Sequence, residues 1–216
     1  MPKLTVSYPN ITHGGIEFLE VDPSLPPFPE GATEALVGIL VKLLQPKIAV
    51  EIGMLYGLTT ALMAYNMPPG GVLYGLDLMP DSARPVIDAY GLSDRVVVVG
   101  GDSAKTIPTL PDGIEFVYLD GNHGYGAVKA DTEALWPKLA DGAVVVFDDL
   151  NGIRGGVIDW VPERFPGQGV VYIRGDRGFA IVQKPPVHIH MVDEHAEGGR
   201  TFLDFLPWTH EQRVGR

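Results

Sequence analysis

Residues 48–57 read Ile-Ala-Val-Glu-Ile-Gly-Met-Leu-Tyr-Gly. Four aliphatic residues interrupted by a single acid, then a glycine, read as a short buried strand opening into a tight turn. Gly53 and Gly57 stand four apart, which is not the G-x-G-x-x-G spacing of a dinucleotide fold. A pyrophosphate site offers backbone N–H groups and avoids carboxylates. Glu51, two residues before the first glycine, therefore argues against a phosphate at this turn.

The pattern repeats outward from this stretch. Upstream, Thr33 is expected to cap a helix over 34–44 with Leu36, Val37, Leu40, Val41 and Leu44 on one face, ended by Gln45-Pro46. Downstream, helices are expected over 59–66, 82–90, 104–110 and 125–139. They alternate with strands over 72–78, 96–99, 116–119 and 143–147. Strands alternating with helices imply a parallel sheet covered on both faces. A helix near 157–165 is followed by strands over 170–173 and 179–183, joined by a hairpin turn at 174–178 (Arg-Gly-Asp-Arg-Gly). The expected fold class is α/β: Rossmann-like and doubly wound, with a mostly parallel seven-stranded sheet and a C-terminal antiparallel hairpin. Residues 32–184 form the expected domain. Residues 1–31, with four prolines between Pro23 and Pro29, read as an irregular arm that is either a lid or a surface-hugging tail. Residues 185–216 read as a tail for packing or oligomer contact.

With 216 residues, 45% hydrophobic and 20% charged, the chain reads as one soluble domain. A net charge of −11 disfavours nucleic acid and anionic lipid as partners and points to a small molecule. No apolar run reaches the roughly 20 residues needed to span a bilayer, and the first residues lack the apolar stretch of a secretory signal. There are no cysteines, so disulfides and thiolate metal sites are excluded and a cytoplasmic setting is expected.

In open α/β sheets, ligands bind at the carboxyl ends of the strands. Asp77 ends the second strand, 24 residues after Gly53, where an acid commonly accepts from ribose hydroxyls. Asp102-Ser103 follows the third strand and suits either an adenine amino group or a helix N-cap. A ligand without phosphate but with a sulfonium and an amino group, such as S-adenosylmethionine (SAM), suits the acid beside the glycine turn. Residues 33–184 resemble class I SAM-dependent methyltransferases. The resemblance rests on EIGMLYG (51–57), YGLDL (74–78), GDS (101–103), YLDGNHGY (118–125) and VVVFDDL (144–150) in series. It implies a cofactor site of Glu51, Gly53, Tyr56, Gly57, Asp77, Leu78, Asp102, Ser103 and Asp120.

Asp120 ends the fourth strand, and Asp148 and Asp149 end the fifth. If those strands are neighbours, about 4.8 Å apart, the three carboxylates converge and repel. A hard divalent cation resolves the conflict, and oxygen-only ligands point to Mg²⁺, with Mn²⁺ and Ca²⁺ as alternatives. Asp-Gly-x-His after the fourth strand and Asp-Asp after the fifth resemble small-molecule O-methyltransferases of the macrolide-sugar and cephalosporin-hydroxylase-like group. In metal-dependent members the positions matching Asp120, Asp148 and Asp149 bind the cation. The catechol-type pattern differs: a lysine stands three residues after the first aspartate, where this chain has His123, and Asp-Asn follows the fifth strand. His123 is expected either to take the acceptor's proton with Asp120 beside it or merely to close its loop. Asp149 has the alternative of capping the next helix.

His188, His190, His195, Asp193 and Glu194 would suit Zn²⁺ by residue type but match no fixed spacing. Phe202, Phe205 and Trp208, three apart, suit tail packing on a partner subunit. Trp160 either packs on the sheet or lines the acceptor pocket. The readings kept beside metal-assisted O-methylation are a metal-independent SAM methyltransferase, a nicotinamide oxidoreductase and a binding subunit without catalysis.

Overall fold

The structure, a computed structural model, describes residues 4–9, 16–22, 24–27, 29, 31–150, 156–165, 170–173 and 177–185. Two strands, β1 (Leu4–Pro9) and β2 (Ile16–Val21), pair antiparallel as a separate two-stranded sheet. The arm expected to be irregular thus contains regular structure. Its prolines at 23–29 follow this ladder in the sequence.

The central sheet contains β3 (Ile48–Ile52), β4 (Val72–Asp77), β5 (Val96–Gly100), β6 (Ile114–Leu119), β7 (Leu139–Asp148), β8 (Val171–Ile173) and β9 (Phe179–Gln183). Its order is β5-β4-β3-β6-β7-β9-β8. The first five of these strands run parallel, while β9 pairs antiparallel with both β7 and β8. The expected seven-stranded sheet with its closing hairpin is the sheet observed. The last strand, β9, is inserted between β7 and β8. Strand order reverses between β3 and β6, so the crevice beyond their carboxyl ends is the topological switch point.

Helices α1 (Ala32–Leu44), α2 (Leu58–Asn66) and α3 (Arg84–Ala89) cover one face, and α4 (Ser103–Thr106), α5 (Tyr125–Leu135) and α6 (Gly156–Arg164) the other. Strand residues alternate between the two faces with period 2. On β6, Phe116 and Tyr118 pack with α1–α3, and Val117 and Leu119 with α4–α6. On β7, Val144 and Val146 take the first face, and Val145 and Phe147 the second. Trp160 packs in the second core, edge-on to Tyr125 at 5.7 Å between ring centres.

Several boundaries differ from expectation. Gly31, not Thr33, is the cap of α1: its carbonyl accepts from Ala35 N at 3.1 Å, while Thr33 is buried in the first turn. Leu44 is largely exposed, because Val37 and Val41 carry the buried stripe. Prolines set the remaining differences, since they lack the N–H that continues a helix. The segments expected at 82–90, 104–110 and 125–139 each break into an α-helix and a 3₁₀ turn around Pro80 and Pro85, Pro108 and Pro137.

Candidate active site

The turn after β3 is shaped by backbone constraints. Gly53 has φ +90° and Gly57 φ +88°, a region that favours glycine. A Cβ on Gly53 would collide with the carbonyl oxygen of Asp120, and one on Gly57 would lie 2.9 Å from that of Ala83. The glycines therefore let this turn lie directly against the loop that carries Asp120. Asp77 ties the turn to β4. Its Oδ2 accepts from the amides of Met54 and Leu55, both at 2.9 Å, and its Oδ1 from Met79 N at 2.8 Å. A carboxylate offers about four acceptor positions, so three backbone donors leave Asp77 one position for a ligand.

Glu51 is fully buried, and neither carboxylate oxygen has a hydrogen-bond partner among the described residues. Burial raises its pKa to about 8, with the nearby Thr60 hydroxyl opposing and the charge of Asp77 adding to the effect. A buried, unpartnered carboxylate is costly unless something pairs with it. Beyond β5, the Asp102 side chain pairs with Lys105 at 3.0 Å and makes no cap to α4. Ser103 Oγ donates to Asp131 Oδ1 at 2.6 Å, and Asp131 is nearly fully buried on α5. Tyr56 is half-buried, whereas the Leu78 side chain is mostly exposed.

The second part of the site lies at the ends of β6 and β7, which pair as neighbours. Period-2 alternation gives Tyr118, Asp120 and Asp148 the face that α1 covers. The Tyr118 hydroxyl lies 3.2 Å from Asp120 Oδ2 and 3.0 Å from Asp148 Oδ2. Asp148 is fully buried. Burial, reinforced by the charge of Asp148, holds the Asp120 carboxyl well above the usual carboxylate range. Burial also raises Asp148, against the opposing pull of Arg177.

Asp149 has φ +57°, a left-handed conformation that asparagine and aspartate tolerate better than most residues. This reversal brings Asp149 Oδ2 to 3.0 Å from His123 Nε2, and Asp120 Oδ1 lies 3.8 Å from the same nitrogen. One donor atom from each of Asp120, His123 and Asp149 falls within a 4.8 Å cluster. Asp149 lies well before α6 and does not cap it. His123 is fixed from behind, because its carbonyl accepts from Gly156 N at 3.0 Å. His123 Nδ1 is buried without a hydrogen-bond partner among the described residues.

Two participants carried no signal in the sequence reading. Tyr118 was indistinguishable from a core strand residue. Arg177 belongs to the turn before β9, and its guanidinium lies 3.0 Å from Asp148 Oδ2, 3.8 Å from Asp149 Oδ1 and in ion-pair contact with Glu34 of α1. Burial works against the charge of Arg177, but Asp148, Asp120 and Glu34 outweigh it and raise its pKa. The register that pairs Asp148 with Phe179 was the available clue, since it brings residue 177 close to the end of β7. The residues of the expected tail sites, His188, His190, Asp193, Glu194, His195, Phe202, Phe205 and Trp208, lie outside the described residues.

A seven-stranded sheet in this order, with a glycine turn at its switch point and acids at the neighbouring strand ends, defines a class I SAM-dependent methyltransferase fold. Residues 50–150 match the family described as a methyltransferase domain. The chain is similar to catechol O-methyltransferase of Mycobacterium tuberculosis, 34% identical over 56% of this chain and 54% of the relative. It is also similar to catechol O-methyltransferase of Sus scrofa, 34% identical over 53% of this chain and 66% of the relative. The chain spans about half the length of several of the catechol O-methyltransferases it matches. Among solved structures, the O-methyltransferase from Bacillus cereus in complex with SAH shares the fold, with a TM-score of 0.61 and 21% identity over 74% of this chain and 84% of that one. No helix among the described residues is long and apolar enough to cross a membrane.

Proposed function

We propose that the protein transfers the methyl group of SAM to a hydroxyl oxygen of a small molecule, assisted by a divalent cation, in a cytoplasmic setting. One observation carries this reading: the Gly53 turn lies against the backbone of Asp120, which joins the cofactor crevice to the Asp120–His123–Asp149 cluster. The catechol O-methyltransferase relatives support oxygen as the acceptor atom.

The buried Glu51 carboxylate, with no partner of its own, fits the positive end of SAM. Gly53, Tyr56 and Gly57 would line the methionine portion. Asp77 and Leu78 would meet the ribose, and Asp102 and Ser103 the adenine. When bound, SAM supplies an electrophilic methyl group on a sulfonium. Asp120, Asp148 and Asp149 would hold Mg²⁺, whose charge lowers the pKa of a coordinated hydroxyl. Asp120 and Asp149 already stand in one cluster with His123, and Asp148, outside that cluster, would join through its unpartnered Oδ1; three carboxylates suit such an ion.

His123 is the proposed base. Its Nε2 is the nitrogen that faces the cluster, 3.0 Å from Asp149 Oδ2, and would take the acceptor's proton once Asp149 turns to the cation. Until then Asp149 holds the ring in place, and much of the rate would come from orienting the two reactants. A metal-independent transfer with the same cofactor is the second reading, favoured by the guanidinium already seated against Asp148.

The test is SAH binding by calorimetry, together with methyl transfer to a panel of catechols and aliphatic alcohols with and without Mg²⁺. Binding of SAH, with transfer lost in Asp148→Ala while SAH binding persists, is the expected result. Failure to bind SAH would overturn the cofactor reading.

A further inference from the structure

Four carboxylates, from Glu34, Asp120, Asp148 and Asp149, meet at the edge formed by β6, β7 and the start of α1. Among the described residues, Arg177 makes ion pairs with three of them, Glu34, Asp148 and Asp149. Its guanidinium spans Glu34 of α1 and the fully buried Asp148, with Asp149 slightly farther away. The other oxygen of Asp148, Oδ1, is buried and lacks a hydrogen-bond partner among the described residues. Asp148 thus has one oxygen taken by Tyr118 and Arg177 and one that is open.

We propose that Arg177 is a resident counter-cation of this edge and competes with a divalent metal ion for Asp148. This rests on the reading that the aspartates hold a cation, and it adds that the chain carries its own occupant for that position. The side-chain geometry allows exchange. Arg177 is 43% exposed, so its end can move without disturbing β9, and Glu34 gives the guanidinium a second seat at 13% exposure. A planar guanidinium presents five donors, enough to keep Glu34 while releasing Asp148. Metal entry would then shift Arg177 toward Glu34, and metal loss would return it to Asp148. The exchange keeps a positive charge beside a carboxylate that is expensive to bury alone.

The test is Mn²⁺ titration of the full chain saturated with SAH, read by calorimetry and by the loss of the free-ion electron paramagnetic resonance signal. Removal of the guanidinium in Arg177→Ala is expected to tighten Mn²⁺ binding by about tenfold or more, with SAH affinity unchanged. Millimolar guanidinium chloride should weaken Mn²⁺ binding to that variant, against sodium chloride at equal ionic strength, and have no such effect on the native chain. Equal or weaker Mn²⁺ binding by Arg177→Ala, or no response to guanidinium, overturns the proposal. Should that variant fail to fold, Arg177→Lys keeps the charge but loses the fork. Tighter Mn²⁺ binding than in the native chain supports competition, and equal or weaker binding overturns it. Mn²⁺ bound by Arg177→Ala and not by the native chain supports the competition while refuting a metal in the native reaction. No binding by either chain refutes both.

Discussion

Asp149 reaches His123 only because its own backbone turns left-handed: at φ +57° its Oδ2 lies 3.0 Å from His123 Nε2. Asparagine also tolerates this backbone region but cannot supply the negative charge. Asp149→Asn is expected to fold with native stability and bind SAH normally while losing about 10²–10⁴-fold in kcat, the range associated with a disabled proton acceptor. Single-turnover methyl transfer beside SAH calorimetry checks this. A variant with native turnover would remove Asp149 from the proton-transfer step.

Gly53 predicts a different failure. A Cβ there meets the Asp120 carbonyl in a backbone conformation already unfavourable to side chains. Gly53→Ala should cost about 3 kcal/mol in unfolding free energy and weaken SAH binding. Gly70→Ala, whose added Cβ meets nothing within 4 Å at a φ of +77°, isolates the backbone cost. Urea unfolding of both should show the larger loss at Gly53.

Glu51 predicts a pH dependence. Its pKa is raised by burial from 4.5 to about 8 in the folded chain, so the folded state binds the proton more tightly than the unfolded state. Its contribution to stability is therefore greatest below pH ~4.5 and is lost as pH rises through about 8. Glu51→Gln should abolish this fall, leaving the ligand-free variant more stable than the native chain at pH 9. If SAM's positive end pairs with Glu51, binding near neutral pH should release protons. Calorimetry in buffers of different ionisation enthalpy measures that release, and its absence in the native chain would separate Glu51 from the cofactor.

Ser103 and Asp131 form the support beneath the expected adenine end. Asp131 has a raised pKa, mainly from burial, and the Ser103 hydroxyl opposes that rise. Ser103→Ala should cost about 1–3 kcal/mol, because it leaves a buried acceptor without its donor. Asp131→Asn retains an acceptor for the hydroxyl and should cost less. Thermal unfolding of the two variants and their double mutant would measure the coupling.

Much of this architecture was legible because glycine and proline punctuate it. Ile48–Ile52 and Phe179–Gln183 were bounded correctly, each being a compact apolar run that ends at a breaker or a polar turn. Asp120, Asp148 and Asp149 were legible as a group because strand ends in a parallel sheet share one edge. Residues 4–21 differ from expectation although Leu4, Val6 and Tyr8 alternate with Thr5 and Ser7 as a strand would; the four prolines at 23–29 dominate the reading of the whole arm. Arg177 was illegible for another reason. Its partner Glu34 is 143 positions away in the chain, and a charged residue in a turn has no periodicity to betray its contacts. Tyr118 was concealed because a tyrosine packs like a core residue, and its hydroxyl matters only once two acids flank it.

The insertion of β9 between β7 and β8 also bears on biosynthesis. As the chain emerges from its amino end, β3 to β7 and their acids are complete before residue 177 exists. Until β9 pairs with it, β7 keeps an unpaired edge and Asp148 lacks its guanidinium partner. Closing the sheet and neutralising the buried acid then become one event, performed by a segment of fewer than a dozen residues.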